Sequence, residues 1–291
     1  MPIYTQTYRT YEGQARRRFR WWVMVQYELR ILFRTRTFVA LVILGYLHAC
    51  LRVLQVVTYD TLGSGPPTPL TEAMRHLAMM KVDETMFFDF IRLQGPLVFL
   101  ATILAGAGMI CDDYRNNLME IFFSKPLTWL DYAVGKIMAL MIIGLGFTAA
   151  PGVLLVVVHN MVSPSFATLR DTSGWPISIV LFSFTMVAPC ALGVLASSAL
   201  SRSQRYAAIA IFMLLFADLA IGQLLPELLH IRNYAAIAFP LAINRVGEFL
   251  FHQKRPLFEL PWGWSVFYVT VVCAASLAII CRTVKRAEMA A

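Results

Sequence analysis

Six long apolar runs constrain this chain more than anything else in it. They fall near residues 37–57, 94–111, 131–158, 175–199, 206–224 and 263–281. A helix that crosses the hydrocarbon core of a bilayer needs about 20 apolar residues, and each run comes close to or exceeds that length. Hydrocarbon offers no water to backbone N–H and C=O groups, so runs of this kind fold as helices that satisfy their own backbone. Of the 291 residues, 58% are hydrophobic and 14% are charged, against about 25% charge in a soluble domain. The mean hydropathy is +0.64. A chain this apolar has no surface to offer water. The predicted fold class is therefore all-α: a polytopic membrane protein of six transmembrane helices. An N-terminal amphipathic interfacial helix precedes them, and short re-entrant or outer helices lie between spans five and six.

The formal net charge of +8 would suggest nucleic acid in a soluble protein. Here the cations sit at the ends and in short loops, with no aromatic-interleaved basic groove, so no nucleic-acid partner is expected. Topology accounts for them instead. With the N-terminus inside, the inner segments hold sixteen Lys and Arg residues and the outer segments eight. The positive-inside rule then puts both termini in the cytoplasm of a cell (inner or plasma) membrane. Residues 1–36 form a cytoplasmic segment, too long and too charged for a cleavable signal. Residues 37–281 form the six-span domain, and 282–291 a cytoplasmic tail. Within the domain, 58–93 is an outer loop, with a short helix expected from about Thr71. Residues 112–130 are a cytoplasmic loop, and 225–262 an outer segment in which 234–239 reads as a re-entrant helix.

Two amphipathic stretches face the inner side. On a 3.6-residue period, Trp21, Trp22, Val25, Leu29, Leu32 and Phe33 share one face, while Arg20, Gln26, Tyr27, Arg30 and Arg34 share the other. Such a helix lies in the membrane interface. It serves either as an elbow that moves with the spans or as a passive anchor, and both roles need the same residues. In the inner loop, Leu118, Ile121 and Phe122 form a short apolar stripe, with Asp112, Asp113, Arg115 and Glu120 around it. Pro126 breaks the helix, and Thr128 to Asp131 form a capping box for span three. The stripe fits either a groove in a soluble partner or the lipid headgroups.

Few residues suggest chemistry. Asp218 lies within the fifth run, where a carboxylate costs roughly 2.5–3.5 kcal/mol. It either marks a substrate path or bonds a neighbour such as Thr185 or Ser183. No metal site is expected. Met74, His76, Met79 and Met80 come nearest, since thioether and imidazole together suit Cu(I), yet methionine is also an ordinary flexible apolar surface. The five cysteines show no CxxC spacing and read as small apolar side chains. Gly106 to Gly108 and Gly144 to Gly146 suit close helix packing.

Four passages, taken in order, resemble the type-2 permeases of ATP-binding-cassette exporters. They are Tyr27 to Arg36 before span one; Asp113-Tyr114-Arg115, Leu118-Met119-Glu120 and Ser124-Lys125-Pro126 in the inner loop; Gly135-Lys136 in span three; and Ala191 to Ser198 followed by Ser201-Arg202-Ser203. The family usually carries Gly-Thr before the leucine, where this chain has Asn116-Asn117. The resemblance implies a permease subunit that dimerises with itself or with a related permease and docks a separate ATPase. The coupling residues it implies are Asp113, Arg115, Leu118, Glu120, Ile121, Phe122 and Pro126, with Glu28, Arg30 and Arg34 on the elbow helix. The segment between spans five and six would be an outer gate. The chain has no GxxxxGK[ST] sequence, so ATP and Mg are expected on the partner and no cofactor on this chain. An ion-coupled transporter and a non-transporting membrane scaffold are the alternative readings. A membrane enzyme would need a convergent set of polar residues at one depth, and only Asp218 qualifies.

Overall fold

A computed structural model of the chain describes residues 19–64, 81–124, 127–162, 172–229, 238–253 and 261–290. Among these residues there are helices and no strands. Helix α1 (Arg20–Leu32) leads into α2 (Arg36–Ser64). Then follow α3 (Glu84–Gly106), α4 (Cys111–Arg115), α5 (Leu118–Phe123), α6 (Trp129–Phe147), α7 (Ala149–Val162), α8 (Trp175–Leu200), α9 (Gln204–Leu229), α10 (Phe239–Leu250) and α11 (Trp262–Ala290). Six segments are long and apolar enough to cross a membrane: Arg36–Thr61, Glu84–Arg115, Trp129–Val162, Trp175–Leu200, Gln204–Gly222 and Trp262–Met289. The second begins ten residues before the expected 94, because Asp83 caps it: its side chain accepts from the Met86 N–H.

Span four is the centre of the bundle. It packs against spans two, three, five and six and against α10. Of its most apolar stretch 61% is buried, against 11% in span five and 17% in span one. Small residues make the close approaches. A Cβ on Gly144 would stand 2.3 Å from Val187, and one on Gly106 2.7 Å from Leu140 and 2.8 Å from Val194. These contacts replace the hydrophobic drive that lipid cannot supply between helices.

Span three is not one helix. It breaks at Thr148, where φ and ψ are −112° and −68°. Pro151 lacks the N–H that would bond to Phe147. Beside the break, the Tyr46 hydroxyl of span one donates to the Gly146 carbonyl at 3.1 Å.

Between spans five and six the described helix is Phe239–Leu250, packed on span six. It starts where the expected re-entrant helix at 234–239 was to end, and residues 230–237 lie outside the described set. The helix expected from Thr71 lies outside it too. Helix α11 runs without a break to Ala290, so residues 282–290 of the expected tail continue span six as helix.

The bundle has two distinct ends. Helix α1, α4, α5 and the last turns of α11 gather at one, called here the basic end for its arginines. At the opposite end, His159 Nδ1 lies 2.7 Å from Asp60 Oδ2, and the His159 ring stacks on Trp175. The Trp175 indole N–H donates to Glu84 at 3.1 Å. Spans one, two, three and four are thereby knitted together. The substitution Gly144→Leu should destabilise the seam between spans three and four by about 1–3 kcal/mol. Thermal unfolding of the detergent-purified chain reads this directly, and an unchanged midpoint would refute the close approach.

Candidate functional site

The basic end is organised around one buried cation. Lys136, in the second turn of span three, is 2% exposed. Its Nζ contacts the Glu28 carboxylate of α1, lies 2.7 Å from Asp113 Oδ2 and donates to the Met109 carbonyl at 2.9 Å. All three ammonium protons are thus used. The Tyr132 hydroxyl, one turn earlier on α6, donates to Asp113 Oδ2 at 2.6 Å. One ammonium therefore clamps the elbow helix, the inner loop and span three together.

The local sequence makes this possible. A Cβ on Gly135 would meet Met24 Cβ at 2.6 Å and the Trp21 carbonyl at 3.1 Å. Only glycine lets α1 lie this close to α6, and the next residue, Lys136, then reaches across to Glu28. The span three helix starts where expected: Thr128 and Asp131 form the reciprocal capping box. The turn before α4 is capped from span four, where the Ser198 hydroxyl accepts from both the Ile110 and Cys111 N–H groups at 3.1 Å. Ser197 donates to the Ala207 carbonyl at 2.9 Å and ties spans four and five.

The structure divides the expected coupling residues into two sets. Asp113 is buried against Lys136, so it belongs to the scaffold and not to the surface. Phe122 also turns inward, its ring tilted against that of Tyr132 at 5.9 Å, with Phe123 at 6.2 Å and Met119 buried nearby. Leu118 is half-buried, while Arg115, Glu120 and Ile121 are exposed. The loop is two short helices, and the turn between them places Asn117 at φ 53°. Asparagine is among the few side chains that tolerate this left-handed conformation, so Asn116-Asn117 makes the tight turn without glycine. Pro126 lies outside the described residues.

Helix α1 lies along span three, and the residues of its expected apolar face are divided between buried and exposed. It buries Met24, Val25, Glu28 and Leu32 against span three, while Trp22 and Phe33 are exposed. The helical period puts Glu28 beside Trp21 and Leu32, but nothing in α1 itself announces a partner cation 108 residues away. Arg30 and Arg34 are exposed.

Asp218 is half-buried in span five, and its carboxylate accepts from the Phe239 N–H at 2.6 Å. It therefore caps the start of α10. The partners expected from sequence are not used: Thr185 donates to Leu181 of its own helix, and the Ser183 hydroxyl is buried without a partner. Among the described residues no group of three or more His, Cys, Asp and Glu could hold a metal ion. Met74, His76, Met79 and Met80 lie outside them.

Two outcomes follow from this geometry. Lys136→Met leaves two buried carboxylates facing each other and should cost about 3–5 kcal/mol of stability. Removing every charge at once (Glu28→Gln, Asp113→Asn and Lys136→Met together) should recover part of that loss. Thermal unfolding in detergent discriminates, and a triple variant less stable than Lys136→Met would contradict a charge clamp. Asp218→Ala should cost about 1 kcal/mol as a lost cap and speed amide exchange at the start of α10, while Asp218→Asn retains an acceptor.

Comparison with known proteins adds one positive finding. No curated protein sequence matches the chain. A family profile described as ABC-2 family transporter protein matches residues 22–253. The match starts within α1 and ends after α10. It thus includes the Lys136 clamp, the exposed loop and five of the six spans. Proteins of this family are typically the non-catalytic membrane component of an ATP-binding-cassette system. This multi-pass membrane protein belongs to the ABC-2 transporter family.

Proposed function

We propose that the chain is the permease subunit of an exporter, lining the substrate path while a separate ATPase subunit supplies energy at the basic end. The observation that carries this reading is the division of the inner loop. Arg115, Glu120 and Ile121 face outward, on a base held by Asp113, Lys136 and Glu28. A docking surface must be rigid if it is to transmit force, and here it is bolted to span three and to the elbow helix. In this reading the basic end faces the cytoplasm with both termini, in keeping with the positive-inside rule. ATP and Mg bind the partner. Closure of the ATPase pushes the loop, and Lys136 passes the load to span three, whose break at Thr148 lets its two halves tilt separately.

The function also calls for a second permease. Spans one and five leave most of their apolar surface open, and a second copy or a related permease covers part of it, with lipid covering the rest. Helix α10, held by Asp218, is the outer gate element at the far end of the path.

The test is co-purification in mild detergent with ATP hydrolysis assayed. Wild-type chain should carry a P-loop ATPase in a fixed ratio, and Arg115→Glu should reduce its recovery about tenfold or more, as expected for reversing a charge in a docking interface. Arg115→Glu with wild-type ATPase recovery and turnover would refute the assigned docking face. A chain that carries no ATPase would refute the whole reading.

A further inference from the structure

The last turns of α11 do more than end a span. At 1.5 Å per residue its 29 residues reach about 43 Å, well beyond a hydrocarbon core of about 30 Å. The excess does not hang free. Ile280, Val284 and Ala287 form a stripe at i, i+4 and i+7, buried in the same core as Met109, Met119 and Tyr132. The helix packs on both α5 and α6. Two hydrogen bonds secure it. The Tyr114 hydroxyl of α4 donates to the Thr283 carbonyl at 2.8 Å. The Glu288 carboxylate accepts from the Trp129 N–H at 3.2 Å.

The second bond has an electrostatic consequence. Trp129 is the first residue of α6, and its N–H is one that the helix cannot satisfy internally. A carboxylate there meets a donor and the positive end of the helix dipole together. The Thr128–Asp131 box already caps this terminus from within. Glu288 adds a cap from another span. Span three is thus held at its first turn by span six, and at its second turn by α1 and the inner loop through Lys136.

We propose that the basic end of span six is a strut of the coupling unit, in which Glu288 is the positioning residue that ties span six to the first turn of span three and Tyr114 ties it to the inner loop. A load on α5 then moves spans three and six as one body. This rests on the reading that an ATPase docks on α5.

The test uses the full-length chain with its co-purified ATPase in nanodiscs, with amide hydrogen exchange read by mass spectrometry, nucleotide-free and after trapping with ATP and vanadate. Without nucleotide, Glu288→Ala should speed exchange across 127–133 about tenfold, as for loss of one hydrogen bond to a charged group. Glu288→Gln, which keeps an acceptor, should fall between. Trapping the wild type should slow exchange across 118–124 and 279–290 together, and in Glu288→Ala or Tyr114→Phe the second response should be lost while the first remains. Wild-type exchange across 127–133 in Glu288→Ala, or a trapped wild type that responds at 118–124 alone, overturns the strut and leaves the docking reading standing. A trapped wild type with no response at 118–124 overturns the docking reading, and the strut's role in coupling with it.

Discussion

An ammonium group buried between two carboxylates holds the basic end of this protein together. Lys136 cannot be left alone in a dry site, since an unpaired buried charge costs several kcal/mol. Its neighbours must therefore stay where they are. Glu28 fixes the angle at which α1 lies on span three, Asp113 fixes the inner loop, and Tyr132 anchors Asp113 in turn. Most other features of this end exist because that geometry must be reached. Gly135 brings α1 close enough, Ser198 caps the turn that delivers Asp113, and Asn117 folds the loop back over Tyr132.

The rest of the bundle is the body to which this clamp is fixed. Lipid gives helices no hydrophobic reason to associate, so the spans rely on close packing and on hydrogen bonds between them. Span four, lined by close contacts from Gly106 and Gly144, is the hub. Span three carries a buried basic side chain near each end, Lys136 and His159, with the Thr148 break between them. A chain of polar contacts running through Asp60, His159, Trp175 and Glu84 fastens the far end. In the proposed reading, a force applied at α5 would enter the clamp, meet the break in mid-span, and end at the second polar cluster. This arrangement suits a permease driven from one side.

Much of this was legible in the chain, for reasons that differ by residue. Span number and the capping box at Thr128–Asp131 depend on local composition and on hydrogen bonds three residues apart, and such signals survive any tertiary context. The exposed Arg115, Glu120 and Ile121 and the inward Asp113 and Phe122 lie within ten residues of one another. Their separation depends on where Tyr132 and Lys136 stand, which the loop sequence does not record. Asp218 read as a substrate-path residue or a partner of Thr185 or Ser183 because its actual partner is a backbone N–H on α10, and backbone donors carry no sequence signature. The capping roles of Ser198, which lies in one of the resembling passages, and of Glu288 left no sign for the same reason: each bonds to main-chain N–H groups far away in the chain.

The amino-acid sequence alone determined that this is an all-α membrane protein of six spans, because the length and apolarity of a run dictate whether it must satisfy its own backbone in hydrocarbon. The order of its loop motifs also carried the resemblance to ABC-2 permeases. Only the tertiary structure decided which charged residues are scaffold and which are surface, how α1 lies along span three, and that span six reaches the first turn of span three. Those outcomes turn on contacts between separate helices, from Asp113 with Tyr132 at 19 positions apart to Glu28 with Lys136 at 108 and Trp129 with Glu288 at 159. Pairing at that separation is set by how helices pack, and packing is a property of all the spans together.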